Sequence, residues 1–132
     1  MNSKYAYPAI FTPDGGGYYI CFPDIPGCYT CGDSLEEGIL MATDVLALML
    51  YEYEHENEPI PAPSEIKDVK VKENEFVNYI ACDTMAYRKK FNAKAVKKTL
   101  TIPQWLNEEA CEMKLNFSQV LQEALLEKLN IL

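Results

Sequence analysis

The chain lacks several features that mark common classes of protein. Only one histidine, His55, occurs among the 132 residues, so no histidine cluster is available for a metal centre or a nucleophile–base pair. No apolar run reaches the roughly 20 residues that a membrane-spanning helix needs, and no signal peptide is recognised. We therefore expect a cytoplasmic protein that does not enter a membrane.

The cysteines do not indicate a disulfide framework either. The five cysteines are odd in number and scattered through predicted strands and helices, which favours a reducing compartment over a disulfide framework. Cys28 and Cys31 have the spacing of a metal or redox motif, but positions three apart in a strand face opposite sides. We expect buried or half-buried thiols here, and no metal or cofactor.

Positive charge is low overall but concentrated in one region. The formal net charge is −8; residues 1–90 hold 15 Asp/Glu against 7 Lys/Arg, while residues 91–132 hold 5 of each. A run of cations without an acid among them lies near the junction: Arg88, Lys89, Lys90, Lys94, Lys97 and Lys98. Such a run raises affinity for phosphate, so nucleic acid remains a candidate partner for the C-terminal part.

The sequence KKTLTI at 97–102 alternates polar and apolar residues, which predicts a strand. The two faces of this strand differ: Val96, Leu100 and Ile102 are apolar, whereas Lys97, Thr99 and Thr101 are polar. A lone strand with one apolar face needs a partner, and we expect that partner to be the same strand of a second copy.

Two helices are predicted after this strand. Pro103 suits the first turn of a helix over 104–113, in which Leu106, Ala110 and Met113 recur at helical spacing. A turn at 114–116 leads to a second helix that runs to the C-terminus. Asn116 is its predicted N-cap, and Gln119, three residues later, completes a variant of the capping box.

Strand, proline, helix, turn and capped helix in this order resemble the ribbon-helix-helix family of DNA-binding dimers. The resemblance implies that Lys97, Thr99 and Thr101 face the major groove from a two-stranded ribbon. It also implies that the start of the second helix, at Phe117, Ser118 and Gln119, meets a DNA phosphate through backbone N–H groups. The alternative interpretation is a helical hairpin packed on the rest of the protein.

The N-terminal region is predicted to form a compact α+β domain of order β-β-β-α-β. Strands are predicted at 5–11, 18–22, 28–32, 66–72 and 76–83, with a turn at 14–17 that makes the first two a hairpin. A capping box of Ser34 and Glu37 opens the helix, whose apolar face is predicted to hold Leu35, Ile39, Ala42, Leu46 and Met49. The helix is expected to end near Asn57, because three prolines follow.

Several strings in the first fifty residues resemble the N-terminal domain of HicB-type antitoxins. They are YPAIF at 7–11, GYY at 17–19, FPDIPGC at 22–28, and Thr30 with GDS at 32–34 and Glu37. The resemblance implies a partial ribonuclease-H-like fold over 1–87 that binds a toxin, joined to a ribbon-helix-helix module over 88–132.

The resemblance implies two roles and no enzymatic activity. The N-terminal domain binds and covers a HicA-type toxin, a basic ribonuclease that cuts mRNA, and the C-terminal module dimerises and represses the operon by binding operator DNA. A tetramer is expected where both modules self-associate.

Two alternative functions are a ribonuclease-H-like nuclease and a free-standing transcriptional regulator. Ribonuclease-H-like nucleases use clustered carboxylates and two metal ions, yet residues 4–11 hold no acid, and Asp14, Asp24 and Asp33 fall in or beside turns. The second alternative is a free-standing transcriptional regulator with a ligand-sensing N-terminal domain.

Overall fold

A computed structural model describes residues 2–131 of the protein and divides it into two compact units, Met1–Lys94 and Ala95–Leu132. The first unit is mixed α+β, and the second is helical. An α+β fold is therefore confirmed at this level.

A four-stranded antiparallel sheet forms the centre of the first unit. Its strands are β1 (Lys4–Asp14), β2 (Gly17–Cys21), β3 (Tyr29–Gly32) and β4 (Phe76–Asp83), in the order β3-β2-β1-β4. The predicted hairpin is present, and its turn contains Gly15 and Gly16 at φ 57° and 91°. Such positive φ values favour glycine, which has no Cβ to clash.

The two longest strands, β1 and the edge strand β4, place most of their buried apolar residues on one face. Tyr7, Ala9 and Phe11 of β1 are buried, and Tyr7 lies opposite the buried Ile80 of β4. The alternation along β1 therefore has the period of two that a half-buried strand requires.

One long helix, α1 (Leu35–His55), covers this face. Its predicted cap is confirmed, since the Ser34 hydroxyl accepts a hydrogen bond from the Glu37 backbone N–H at 3.1 Å. Leu46 and Leu50 are fully buried, but Leu35, predicted for the core face, is 39% exposed. The helix lies very close to the sheet at Gly38, where a Cβ would come within 2.9 Å of Ile20 Cδ1.

The segment after α1 crosses back to the sheet without forming the strand predicted at 66–72. It contains only a 3₁₀ turn, Ile66–Asp68. The Asp24 carboxylate accepts bonds from the Ser64 N–H at 2.9 Å and the Ser64 hydroxyl at 2.5 Å, and the Tyr79 hydroxyl lies 3.4 Å from the Ile66 nitrogen. These side-chain contacts hold the segment in place of a strand ladder.

A short helix that was not predicted, α2 (Met85–Phe91), follows β4 and packs on α1. The contact boundary between the units therefore falls after Lys94, rather than between residues 87 and 88. The reason is that Arg88, assigned by the prediction to the second module, forms an ion pair with Glu54 of α1.

The second unit contains two helices, α3 (Gln104–Glu112) and α4 (Phe117–Lys128). The Asn116 side chain accepts from the Gln119 N–H at 3.1 Å, which confirms the cap, but the Gln119 side chain bonds Glu123 instead of returning to complete a capping box. Lys114, at φ 57°, ends α3, and its successor Leu115 donates to the Ala110 carbonyl. This is the usual way a helix stops before a sharp turn. The second helix ends at Lys128, shortly before the C-terminus.

Candidate functional site

The predicted DNA-contacting residues are all exposed in the second unit. Lys97, Thr99 and Thr101 lie in the segment before α3, which belongs to no strand in this single chain. A strand is defined by hydrogen bonds to a neighbour, and the predicted neighbour is a second copy of the same segment.

The start of α4 has the geometry that the sequence predicted for anion binding. Phe117, Ser118 and Gln119 form its first turn and are exposed, and the Asn116 cap occupies the Gln119 N–H. The other N–H groups of the first turn have no partner within the helix, as at every helix start. This geometry leaves N–H groups at the start of α4 that could donate to a phosphate.

The second unit has no core of its own. No residue between 95 and 131 is buried in this chain, although the unit is rich in large apolar side chains. Val96, Leu100 and Ile102 of the predicted ribbon are 85%, 58% and 46% exposed. The two helices and the residues directly after them expose nine more: Trp105, Leu106, Met113, Leu115, Phe117, Val120, Leu125, Leu126 and Leu129. So much apolar surface on a small unit indicates a missing partner.

A buried ion pair is the most constrained polar group of the first unit. Arg88 donates to both carboxylate oxygens of Glu54 at 2.9 Å, while the hydroxyls of Tyr5 and Thr84 donate to Glu54 Oε2 at 2.6 and 2.9 Å. Burial alone would raise the pKa of Glu54, but these four hydrogen bonds outweigh it and hold the pKa below its ordinary value. The cluster ties β1, α1 and α2 together.

This cluster changes the interpretation of the cationic run. The Arg88 side chain is 16% exposed and is committed to Glu54, so it is not available to a phosphate. Lys89, Lys90, Lys94 and Lys97 are exposed. The basic surface expected near the junction therefore consists of lysines alone.

Aromatic rings pack α2 against α1. Tyr87 stacks on Tyr51 and on Phe91, with ring centroids 6.2 and 6.0 Å apart. The Tyr87 hydroxyl donates to Asp44 at 2.5 Å, and this bond and burial raise the Tyr87 pKa to about 12. The stack has a structural role that the sequence did not reveal, since the rings come from distant segments.

The outer side of α1 carries an acidic and apolar surface, which we call the α1 ridge. It consists of exposed residues at three- and four-residue spacing: Glu37, Leu40, Met41, Asp44, Leu48 and Glu52. Leu40 is 71% exposed, Met41 44% and Leu48 36%. The sequence alone could have predicted this surface, because these apolar residues lie outside the apolar stripe with which the helix packs on the sheet.

The open face of the sheet, away from α1, is uncharged over β2 and β3, while Lys4 of β1 and Asp83 of β4 lie opposite each other at one end of it. Tyr19 and Tyr29 are 42% and 59% exposed, with ring centroids 6.1 Å apart, and Tyr79 of β4 is 47% exposed. Cys31 of β3 is exposed on the same face by strand alternation. This face is the second exposed apolar surface of the first unit.

The described residues do not form a metal centre, and the three candidate acids of the nuclease alternative are not grouped as such a centre would require. No group of three or more His, Cys, Asp or Glu side chains is placed to hold a metal ion in residues 2–131. Asp24 is committed to Ser64, and Asp14 and Asp33 are exposed near turns. Cys28 is buried, which raises its pKa to about 11, whereas Cys31 is exposed and departs from the buried or half-buried thiols expected.

In the same described residues, no helix is both long and apolar enough to cross a membrane.

Comparison with known proteins identifies the family. The model of the family described as HicB-like antitoxin of bacterial toxin-antitoxin system matches residues 7–124, most of both units. The chain belongs to the HicB-like antitoxin family.

Individual HicB-like relatives resemble the chain to different extents. Antitoxin HicB 2 of Photorhabdus laumondii is 44% identical over 46 residues, which is 35% of this chain. The chain spans only about a third of that relative, 33% of its length.

Solved structures extend the likeness to both units. A toxin-antitoxin complex from Streptococcus pneumoniae contains a chain with 27% identity and a TM-score of 0.63, covering 95% of this chain and 99% of that one. A chain of the HicA3 and HicB3 toxin-antitoxin complex has 25% identity and a TM-score of 0.50, covering 60% of this chain and 99% of that one.

Proposed function

We propose that this HicB-like protein is an antitoxin that binds and neutralises a HicA-type mRNA-cleaving toxin and represses its own operon. The observation that carries the proposal is the family match over 7–124 together with a toxin-antitoxin complex that covers 95% of the chain. In this proposal, the unit Met1–Lys94 binds the toxin, and the unit Ala95–Leu132 binds operator DNA.

The first unit is suited to binding rather than catalysis. Its β1 carries no acid before Asp14, the carboxylate of Asp24 bonds Ser64, and Glu54 is held by Arg88. A two-metal nuclease needs clustered carboxylates that face solvent, and these acids have other partners. A partial ribonuclease-H-like fold without its catalytic acids would serve as a protein-binding surface.

The second unit is proposed to be a ribbon-helix-helix homodimer. Its exposed apolar residues need a cover, and pairing the 97–102 segments of two copies would bury Leu100 and Ile102 above the helices. The opposite face would then present Lys97, Thr99 and Thr101 twice to the major groove. Phe117, Ser118 and Gln119 would meet the flanking phosphates at the start of α4.

Two fragments test whether the functions are divided in this way. Residues 1–94, which contain the complete buried core, are expected to rescue growth of cells that express the toxin but not to retard operator DNA in a gel shift. Residues 88–132 are expected to bind the operator weakly and with steep salt dependence, because they keep the lysines and the ribbon but lose any avidity from association of the first units.

The full chain is the control for both assays. Rescue that requires the second unit, or operator binding by residues 1–94 alone, would contradict the assignment. A full chain that binds DNA but no toxin would favour a free-standing regulator whose first unit senses a ligand.

A further inference from the structure

The α1 ridge has the composition of a docking surface. Leu40, Met41 and Leu48 are exposed on the outer side of α1, whose opposite side packs on the sheet. The packing of α1 on the sheet therefore does not require apolar residues at these three positions. An exposed leucine alone is ordinary. Three large apolar residues in one row, flanked by carboxylates, form a contiguous patch of the kind that binds partners.

The charge around this patch is of one sign. α1 carries five Asp/Glu side chains and no Lys or Arg over its 21 residues. Glu36, Glu37 and Glu52 are exposed beside the apolar row. A ribonuclease that binds the phosphates of mRNA needs a basic surface, so the ridge is complementary to such a partner in both charge and apolar character.

The open sheet face lacks this complementarity. Its exposed tyrosines Tyr19, Tyr29 and Tyr79 are neutral. Lys4 and Asp83, which β1 and β4 place on that face, are of opposite sign and lie opposite each other. A surface without an excess of one charge gives no electrostatic preference for a basic toxin over other partners. The two exposed surfaces of the first unit can therefore be told apart by charge.

We infer that the basic toxin docks on the α1 ridge, with Leu40 and Leu48 as apolar anchors and Glu36, Glu37 and Glu52 facing its cations. The inference rests on the proposed toxin-neutralising function and specifies which surface performs it. Docking there places a row of carboxylates against the surface that the toxin uses for RNA phosphates, which would block the substrate.

The decisive variants are Leu40→Lys on the ridge and Tyr29→Lys on the open sheet face of the full-length protein. Both residues are well exposed, at 71% and 59%, so neither substitution should affect folding, which circular dichroism melting checks. Titration calorimetry against the purified HicA-type toxin of the same genome should show affinity reduced by about tenfold or more for Leu40→Lys and changed less than about twofold for Tyr29→Lys.

A second pair of variants separates charge from apolar contact. Glu37→Gln should slow association at low salt and have little effect at high salt, because charge steering is screened. Leu48→Ala should accelerate dissociation at any salt concentration. Glu37 contributes only its backbone N–H to the helix cap, so the amide variant leaves the cap intact.

Each other outcome overturns the inference in an identifiable way. A larger loss of toxin affinity for Tyr29→Lys than for Leu40→Lys would place the toxin on the open sheet face. Equal binding by all variants would exclude both surfaces as the docking site. A change in oligomeric mass with unchanged toxin binding would assign the ridge to a second copy of this chain. Failure of the unaltered protein to bind the toxin would instead refute the proposed function itself.

Discussion

The two units of the molecule differ in how far their apolar side chains are buried within the same chain. In Met1–Lys94, residues such as Phe11, Ile20, Leu46 and Leu50 are completely buried within the same chain. In Ala95–Leu132, none of the described residues is buried, and Leu100 is 58% exposed. The first unit is therefore stabilised by its own core, and the lack of such a core in the second unit supports the proposal that the second unit associates with another copy.

The substitution with the largest expected effect on this difference between the units is Leu100→Asp. A charge on the apolar face of the ribbon should prevent pairing of two copies, and with it the folding of the second unit as a dimer and all operator binding. Light scattering after gel filtration and a gel shift measure the two losses, while the thermal transition of the first unit should stay unchanged.

Thr99→Asp is the matched control, because it places the same charge on the opposite face of the same segment. This variant should remain dimeric and lose DNA binding through repulsion of phosphate. A Leu100→Asp protein that stays dimeric through the second unit at micromolar concentration would contradict the ribbon model.

A large effect of the opposite kind is expected from Arg88→Met in the first unit. Removing the guanidinium leaves the Glu54 carboxylate without its cation, and because the pair is only partly buried the loss of folding free energy should fall below the roughly 3–5 kcal/mol of a fully buried pair. Urea unfolding should show this loss in the first unit, with dimerisation of the second unit unaffected.

Glu54→Gln supplies the control and a dependence on pH. Because the pKa of Glu54 is held below its ordinary value of 4.5, its contribution to stability is present above that pH and is lost as the pH falls through the folded-state pKa. The stability of Glu54→Gln should therefore fall less steeply below about pH 4.5 than that of the unaltered protein. Parallel curves would show that the ion pair contributes little to acid unfolding.

The smallest of the three effects is expected from Thr99→Ala. A good base contact contributes about 1–3 kcal/mol of discrimination, so this variant should bind operator and unrelated DNA with more similar affinity while both units stay folded. Competition gel shifts measure the ratio. If neither Thr99→Ala nor Lys97→Ala changed the ratio of operator affinity to unrelated-DNA affinity, the ribbon face would not be the surface that recognises the DNA sequence.

Local signals in the sequence predicted much of this structure. The glycine turn, the alternation of β1 and β4, the Ser34 cap and the Asn116 cap each depend on residues close together in the chain, and all four are present. The family strings at 7–37 allowed the first unit to be recognised as well.

The errors arose where distant residues decide the structure. A strand was predicted at 66–72, but contacts such as Ser64 with Asp24 fix that segment without a neighbouring strand. The helix α2 is too short for a periodic signal, and it depends on the pairing of Arg88 with Glu54, 34 residues earlier. The DNA-contacting residues remain a prediction, since a ribbon cannot be seen in one chain.

The strand order β3-β2-β1-β4 has a consequence for synthesis on the ribosome. β1, β2, β3 and α1 emerge in sequence and make local contacts, but the second edge of β1 stays open until β4, some 65 residues later, has been made. A nascent chain thus carries a central strand with one open edge through most of the translation of its first unit, a state prone to wrong pairing. We expect ribosome-bound chains whose segment outside the exit tunnel ends before Phe76 to be sensitive to protease, and chains with Phe91 outside the tunnel to be resistant.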